Sequence, residues 1–193
     1  ILICSIIAFM IIIERFIFLQ KVKREAYDLF TRTHAEIESG NIEQALQICK
    51  TNKHSIPGNI LRAGILNSKK SRETITEAIE DAGIRELPRL ERFLHFLGTI
   101  NTIAPMLGLL GTVVGMIQSS DVLAKLGTSN PGQVISGIAV ALLTTAFGLI
   151  VAIPTLIFYN YLIHKCQDTI NMISKQSDEI VDVLTYDKKL EIS

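Results

Sequence analysis

The sequence predicts an all-α integral membrane protein with three transmembrane helices, two of them extended into the cytoplasm, and a helical cytoplasmic segment. Three observations carry that prediction. Charge is segregated along the chain, the uncharged runs are longer than a bilayer needs, and no segment alternates apolar and polar residues with the period of a strand. Of 193 residues, 48% are apolar, and 19 Lys and Arg balance 19 Asp and Glu, so net charge points to no nucleic-acid partner. Residues 14 to 92 carry 26 charged side chains, whereas the 71 residues from Phe93 to Ile163 carry two, Asp121 and Lys125. Phe93 to Ser120 has no Asp, Glu, Lys or Arg in 28 residues, and Gln133 to Ile163 has none in 31. A bilayer core takes about 20 apolar residues.

Taken in order, residues 1–19 form the first transmembrane helix. Its apolar run opens the sequence at Ile1 without an initiator Met and without the basic n-region of a signal peptide, so it is expected to be the remaining part of a spanning helix. Glu14 and Arg15 should sit at its interfacial end. Residues 20–92 follow as a helical cytoplasmic segment. Gly40 can stop one helix, Asn41 with Gln44 has capping-box spacing for the next, Ser55-Ile56-Pro57 can open a third, and Ser71 can cap a fourth. The last has an apolar stripe of Ile75, Ile79, Ala82, Leu87 and Leu90 that continues at helical spacing into Leu94 and Leu97. One helix is therefore expected from about Arg72 to Ile117, on the order of 70 Å long, with Pro88 as a possible kink. Residues 93–120 form the second span, 121–132 a loop, 133–163 the third span, and 164–193 a C-terminal helix with Ile170, Ile173, Val181 and Leu184 on one face.

Orientation follows from Lys and Arg near the span ends. Arg15, Lys21, Lys23, Arg24, Arg85, Arg89, Arg92 and Lys165 lie on one side and only Lys125 in the 121–132 loop, which places that loop outside the cytoplasm. Cys4, Cys49 and Cys166 are odd in number and lack paired spacing, and the four histidines lack metal-ligand spacing, so neither a disulfide framework nor a metal is expected. The sequence also has no phosphate-binding GxxxxGK[ST] loop, zinc-protease motif or nucleophile elbow. No cofactor and no enzymatic activity are expected.

The second and third spans each carry a face of small or polar residues. Gly98, Asn101, Pro105, Gly108, Thr112, Gly115 and Ser119 recur at steps of three and four, and so do Gly137, Ala141, Thr144 or Thr145, Gly148, Ala152 and Thr155. Gly111 and Gly115 add a GxxxG spacing. Two readings fit. Small faces let helix backbones approach closely in lipid, which would make Gly108, Gly111, Gly115, Gly137, Ala141, Gly148 and Ala152 packing residues. Alternatively the threonines line a pore. Neither span has a carboxylate, and a threonine hydroxyl does not change charge at physiological pH, so a proton relay would need a titrating group from another chain.

Arg89-Leu90-Glu91-Arg92, the run Ile103-Ala104-Pro105-Met106-Leu107-Gly108-Leu109-Leu110-Gly111-Thr112-Val113-Val114-Gly115-Met116-Ile117, and Gly137 to Ala146 with Gly148 to Pro154 resemble the ExbB/TolQ/MotA ion-channel family. MotA-type stators usually have a fourth span, so the ExbB/TolQ branch is the nearer resemblance. It implies a homopentamer whose pore holds a dimer of an ExbD/TolR-like single-span partner, the partner's helix supplying an aspartate that carries protons. It further implies Thr112 and Thr145, with Thr144 beside them, as ion-path residues. Val140 stands where ExbB and TolQ proteins often have glutamate, which leaves sodium coupling through the hydroxyls open.

The expected function is therefore an ion-conducting stator subunit of the bacterial inner membrane. With its partner it would use the proton-motive force to energise outer-membrane transport, with a TonB/TolA-like protein as a further expected partner. TolQ-like envelope maintenance, another ion-driven motor and a non-conducting membrane scaffold are the rivals. The expected partners are membrane lipid and protein, with no nucleic acid.

Overall fold

The computed structural model describes residues 1–52, 54–126 and 131–191. These form six helices: α1 (Leu2–Glu38), α2 (Ile42–Thr51), α3 (Ile56–Leu66), α4 (Arg72–Glu91), α5 (Leu94–Leu126) and α6 (Pro131–Glu191), with no strand among the described residues. Three helical stretches are long and apolar enough to cross a membrane, Leu2–Glu38, Arg72–Ala124 and Pro131–Thr185. The protein is thus an all-α integral membrane protein with three transmembrane helices. α5 continues through Leu126 and α6 begins at Pro131, so both helices enter the segment read as the 121–132 loop, and residues 127–130 of that loop lie outside the described residues.

The chain divides into two compact units. The first comprises Ile1–Arg15 and Phe93–Ile163, the second Phe16–Arg92 and His164–Ser193. In the second unit, α1 buries Leu19, Val22, Ala26, Leu29, Phe30, Thr33 and Ile37, and α6 buries Cys166, Thr169, Ile173, Ser177, Ile180 and Leu184. Apart from the adjacent Leu29 and Phe30, both series advance by three and four residues, the spacing of one helix face directed at neighbours. α3 and α4 meet closely because Gly64 has no side chain: a Cβ there would lie 2.7 Å from the Cδ1 of Ile79. The core at that crossing includes Leu61 and Ile75, each fully buried, and each such burial stabilises by about 1.5–3 kcal/mol.

The helix ends follow local chemistry. Gly40 has φ 76°, its N–H donates to the Ile37 carbonyl at 2.9 Å, and the Asn41 N–H donates to the Glu36 carbonyl at 2.8 Å, the two bonds of a Schellman stop. Asn41 starts α2 without using its side chain as a cap; its amide donates instead to Glu36 at 3.2 Å. The capping box anticipated there does not form, and it is the backbone N–H of Asn41 that closes the preceding helix. Ser55 likewise precedes α3 with no side-chain cap bond, whereas the Ser71 hydroxyl accepts from the Thr74 N–H at 3.4 Å.

The expectation of one uninterrupted helix from Arg72 to Ile117 is corrected at a single point. Pro88 lies inside α4 and does not end it. The interruption comes at Arg92, with ψ 134°, and Phe93, among the described residues the one non-glycine residue of positive φ, at 67°. Phe93 then starts α5, its carbonyl accepting from the Leu97 N–H at 3.1 Å. A bulky residue in the left-handed region costs on the order of 1–2 kcal/mol, so this join must be held by its surroundings. Two contacts within the first unit do that. The Arg15 guanidinium lies 5.5 Å from the centroid of the Phe93 ring, and the Phe96 ring lies 6.2 Å from it. Arg15 is buried, its charge met by Glu14, whose Oε1 accepts from Nη2 at 2.5 Å.

Candidate ion path at the glycine and threonine seam

Within the first unit, α5 and α6 run antiparallel and meet along a seam of small residues. Its course is fixed by what a side chain at each glycine would strike. Gly98 faces the ring of Tyr159 at 3.2 Å, Gly115 faces Ala141, and Gly137 faces Ser119. At the centre a Cβ on Gly148 would lie 2.8 Å from the Ala104 carbonyl oxygen and 3.1 Å from the Gly108 Cα. A Cβ on Gly108 would lie 3.1 Å from both the Thr144 carbonyl oxygen and the Thr145 Cα. No residue with a side chain fits either position without moving backbone. Ala104, Ala141 and Ala152 are buried as well.

The threonines take up distinct places around this centre. The Thr145 hydroxyl donates to the Gly108 carbonyl of the facing helix at 3.1 Å. The Thr144 hydroxyl donates to the Ala141 carbonyl at 2.6 Å and lies 3.4 Å from the same Gly108 carbonyl. Gly111 faces Thr144, a Cβ there meeting the threonine Cβ at 2.7 Å. Thr112, next along the helix, is half-buried and donates to the Leu109 carbonyl of its own turn at 2.6 Å. Thr155 is buried and donates to Val151 at 2.7 Å. Sequence spacing groups Thr112 with Gly108 and Gly115, but Gly111 and Ala104 share the close approach to α6, and no signal in the sequence separates these neighbouring rows.

Chemically, each hydroxyl has committed its proton to a backbone carbonyl and keeps lone pairs able to accept from an acid or to meet a cation. The stretch Phe93 to Ser120 and the stretch Gln133 to Ile163 contain no carboxylate, so the seam has no titrating acid of its own. Val140 is well exposed on α6 and adds none. Beside the seam, large apolar side chains such as Leu109, Val113, Met116, Leu142, Leu149 and Ile153 stand exposed. Such a surface is stable only against lipid or other helices. Arg15 and Phe93 form the functional-looking feature that spacing did not reveal: the adjacent Glu14 and Arg15 are visible in the sequence, but not the ring that a left-handed residue brings over the guanidinium.

A membrane protein with this threonine-bearing seam between two apolar helices belongs to a defined class. Residues 52–175 match the MotA/TolQ/ExbB proton channel family, and the chain is a member of that family. It is 32% identical over 162 residues to a biopolymer transport protein ExbB of Salmonella typhimurium, covering 77% of this chain and 62% of the relative. It is 29% identical over 170 residues to a putative biopolymer transport protein ExbB homolog of Methanothermobacter thermautotrophicus, covering 88% and 60%. It is 37% identical over 112 residues to the Tol-Pal system protein TolQ of Pseudomonas aeruginosa, covering 58% and 48%. The chain spans about half the length of the curated relatives it matches.

Proposed function

We propose that this chain is an ion-conducting stator subunit of the bacterial inner membrane that assembles as a homopentamer around two single-span helices of an ExbD/TolR-like partner and uses the proton-motive force to energise outer-membrane transport. The observation that carries the reading is the pair of hydroxyls, Thr144 and Thr145, gathered at the Gly108 carbonyl between two membrane stretches, residues 93–120 and 133–163, that lack any acid. Membership of a proton channel family supports conduction, and relatives named as biopolymer transport proteins support transport as the work done. In this reading a partner carboxyl enters the pore, a threonine hydroxyl accepts from its protonated form and, rotating away from its backbone carbonyl, donates to its ionised form, and both states are tolerated in a water-poor path.

One charge falling through 100 mV releases about 2.3 kcal/mol, so several ions must pass for each productive movement of the partner. Residues 121–132 face the periplasm and the mixed-charge helices face the cytoplasm, the arrangement that the distribution of Lys and Arg favours. A TonB- or TolA-like protein would receive the motion. The test is reconstitution in proteoliposomes with and without a single-span partner bearing a membrane aspartate. Proton uptake that requires that aspartate supports the proposal; none with the partner present refutes conduction. Native mass spectrometry counts the chains, and a stable monomer in nanodiscs refutes the assembly.

A further inference from the structure

In the second unit, α3, α4 and the C-terminal part of α6 enclose a cleft of about 320 Å³. Its floor is apolar, with Ile60, Ile79, Leu90, Ile173 and Val181 contributing. Two features set it apart from an ordinary packing fault. Ser177 lines it, is 1% exposed, and its hydroxyl has no hydrogen-bond partner, although buried hydroxyls are ordinarily satisfied. Gly83 also lines it, and a Cβ at Gly83 would meet nothing within 4 Å, so the cleft has room at the middle of a helix where glycine is otherwise disfavoured. The lining carboxylates are Glu80, Glu86 and Asp178, and no Lys, Arg or His lines the cleft among the described residues. Glu86 is already engaged, accepting from the Asn59 amide at 2.7 Å and from Arg89 at 2.6 Å. Glu80 and Asp178 are exposed at the rim, next to Ile84, itself 68% exposed.

We infer that this cleft docks a basic amphipathic segment of a partner chain, its apolar face on the isoleucine floor, its Lys or Arg side chains at Glu80 and Asp178, and a polar group at the Ser177 hydroxyl. The occupant is chosen by charge: an apolar floor with two exposed carboxylates at the rim, and no cation among the described lining residues, disfavours acidic segments and gives a neutral helix nothing to orient it. A membrane partner supplies this chemistry in the right place, because the cytoplasmic flanks of transmembrane helices are enriched in Lys and Arg. The assignment of sides rests on the proposed stator topology; the complementarity of the cleft does not.

The experiment uses the full chain in neutral-lipid nanodiscs and a fluorescent amphipathic peptide of leucine and lysine, with empty nanodiscs and a leucine–glutamate peptide as controls. The expected result is saturable binding of the lysine peptide that weakens with salt and is absent for the glutamate peptide. Gly83→Leu, which fills the cleft at a position with free space, should abolish binding while leaving the helical circular dichroism unchanged. Glu80→Lys with Asp178→Lys should weaken binding about tenfold at low salt. Equal binding to empty nanodiscs, or to the Gly83→Leu protein, refutes the inference and assigns the peptide to the membrane surface. A photo-crosslinker at Ile84 that captures a second copy of this chain also refutes it, since the cleft is then an interface within the oligomer. Proton uptake is measured in parallel on proteoliposomes holding the same protein and the single-span partner. Absent peptide binding with intact uptake sinks the docking site alone, and intact binding with no uptake sinks the stator reading alone.

Discussion

Replacing Thr145 and Thr112 by valine separates a pore from a packing seam. Valine nearly matches threonine in shape, so no cavity forms and only the hydroxyl is lost. For Thr145 that removes the 3.1 Å bond to the Gly108 carbonyl on the facing helix. A net hydrogen bond is worth roughly 0.5–1.5 kcal/mol, and interhelical bonds in membranes average about 0.6. The assembled protein should therefore survive Thr145→Val with a small loss of thermal stability. Thr112 donates only to Leu109 in its own turn, so Thr112→Val should leave stability unchanged within about 0.5 kcal/mol. If the hydroxyls serve a carboxyl in transit, the same energies raise its barrier. At about 1.4 kcal/mol per factor of ten, each variant slows partner-dependent proton uptake by roughly two- to tenfold, and more where the hydroxyl relays the proton. Thr155→Val, at a buried hydroxyl bonded to Val151 of its own helix, is the control and should do less. The assay is proton uptake by proteoliposomes holding this chain and the partner, with chain count checked by native mass spectrometry. Normal assembly and full uptake in both threonine variants would refute the pore assignment and leave the seam as packing.

Gly148→Ala should do the opposite, lowering assembly and thermal stability by about 1–3 kcal/mol, because its Cβ would sit 2.8 Å from the Ala104 carbonyl oxygen; an unshifted melting temperature counts against the close seam. Val140→Glu, which puts a carboxylate on an exposed face of a membrane helix, should reduce stability or change the cation dependence of uptake, read by comparing sodium and proton gradients. Glu73 is held below its ordinary pKa of 4.5, first by its own backbone N–H and then by the Ser71 hydroxyl, so its contribution to α4 is complete above that value and is lost as pH falls through the lowered one. Glu73→Gln should flatten this acid limb of helicity followed by circular dichroism, and an unchanged limb excludes Glu73 as its source. Burial pushes the Cys49 thiol up, so at pH 8 it should alkylate with iodoacetamide far more slowly than a free thiol, and rapid labelling without unfolding would show that α2 opens readily.

The sequence by itself determined the membrane architecture, the family and the chemistry available in the membrane. Transfer into a bilayer is nearly a sum over residues, so two runs without charge were enough to mark two spans, and the mixed-charge segments were marked by the same sum. Helix starts and stops set by one or two residues were also legible: Gly40 reached its left-handed stop and Ser71 its cap. The tertiary structure decided what depends on a second element. Residues one apart on a helix point about 100° apart, so only the position of α6 settles that Gly111 faces Thr144 while Thr112 turns its hydroxyl to its own turn. The break at Phe93 was hidden for the same reason: no propensity favours a left-handed phenylalanine, and the state is held by Arg15 and Phe96, of which Arg15 is distant in sequence. Asn41 shows the limit at shorter range: its spacing to Gln44 suggested a cap for α2, whereas its backbone N–H closes α1 on the Glu36 carbonyl and its side-chain amide donates to the Glu36 carboxylate. Burial and composition are local and additive, whereas orientation, strain and the choice between hydrogen-bond partners are properties of a pair, and a pair is fixed only when the chain has folded.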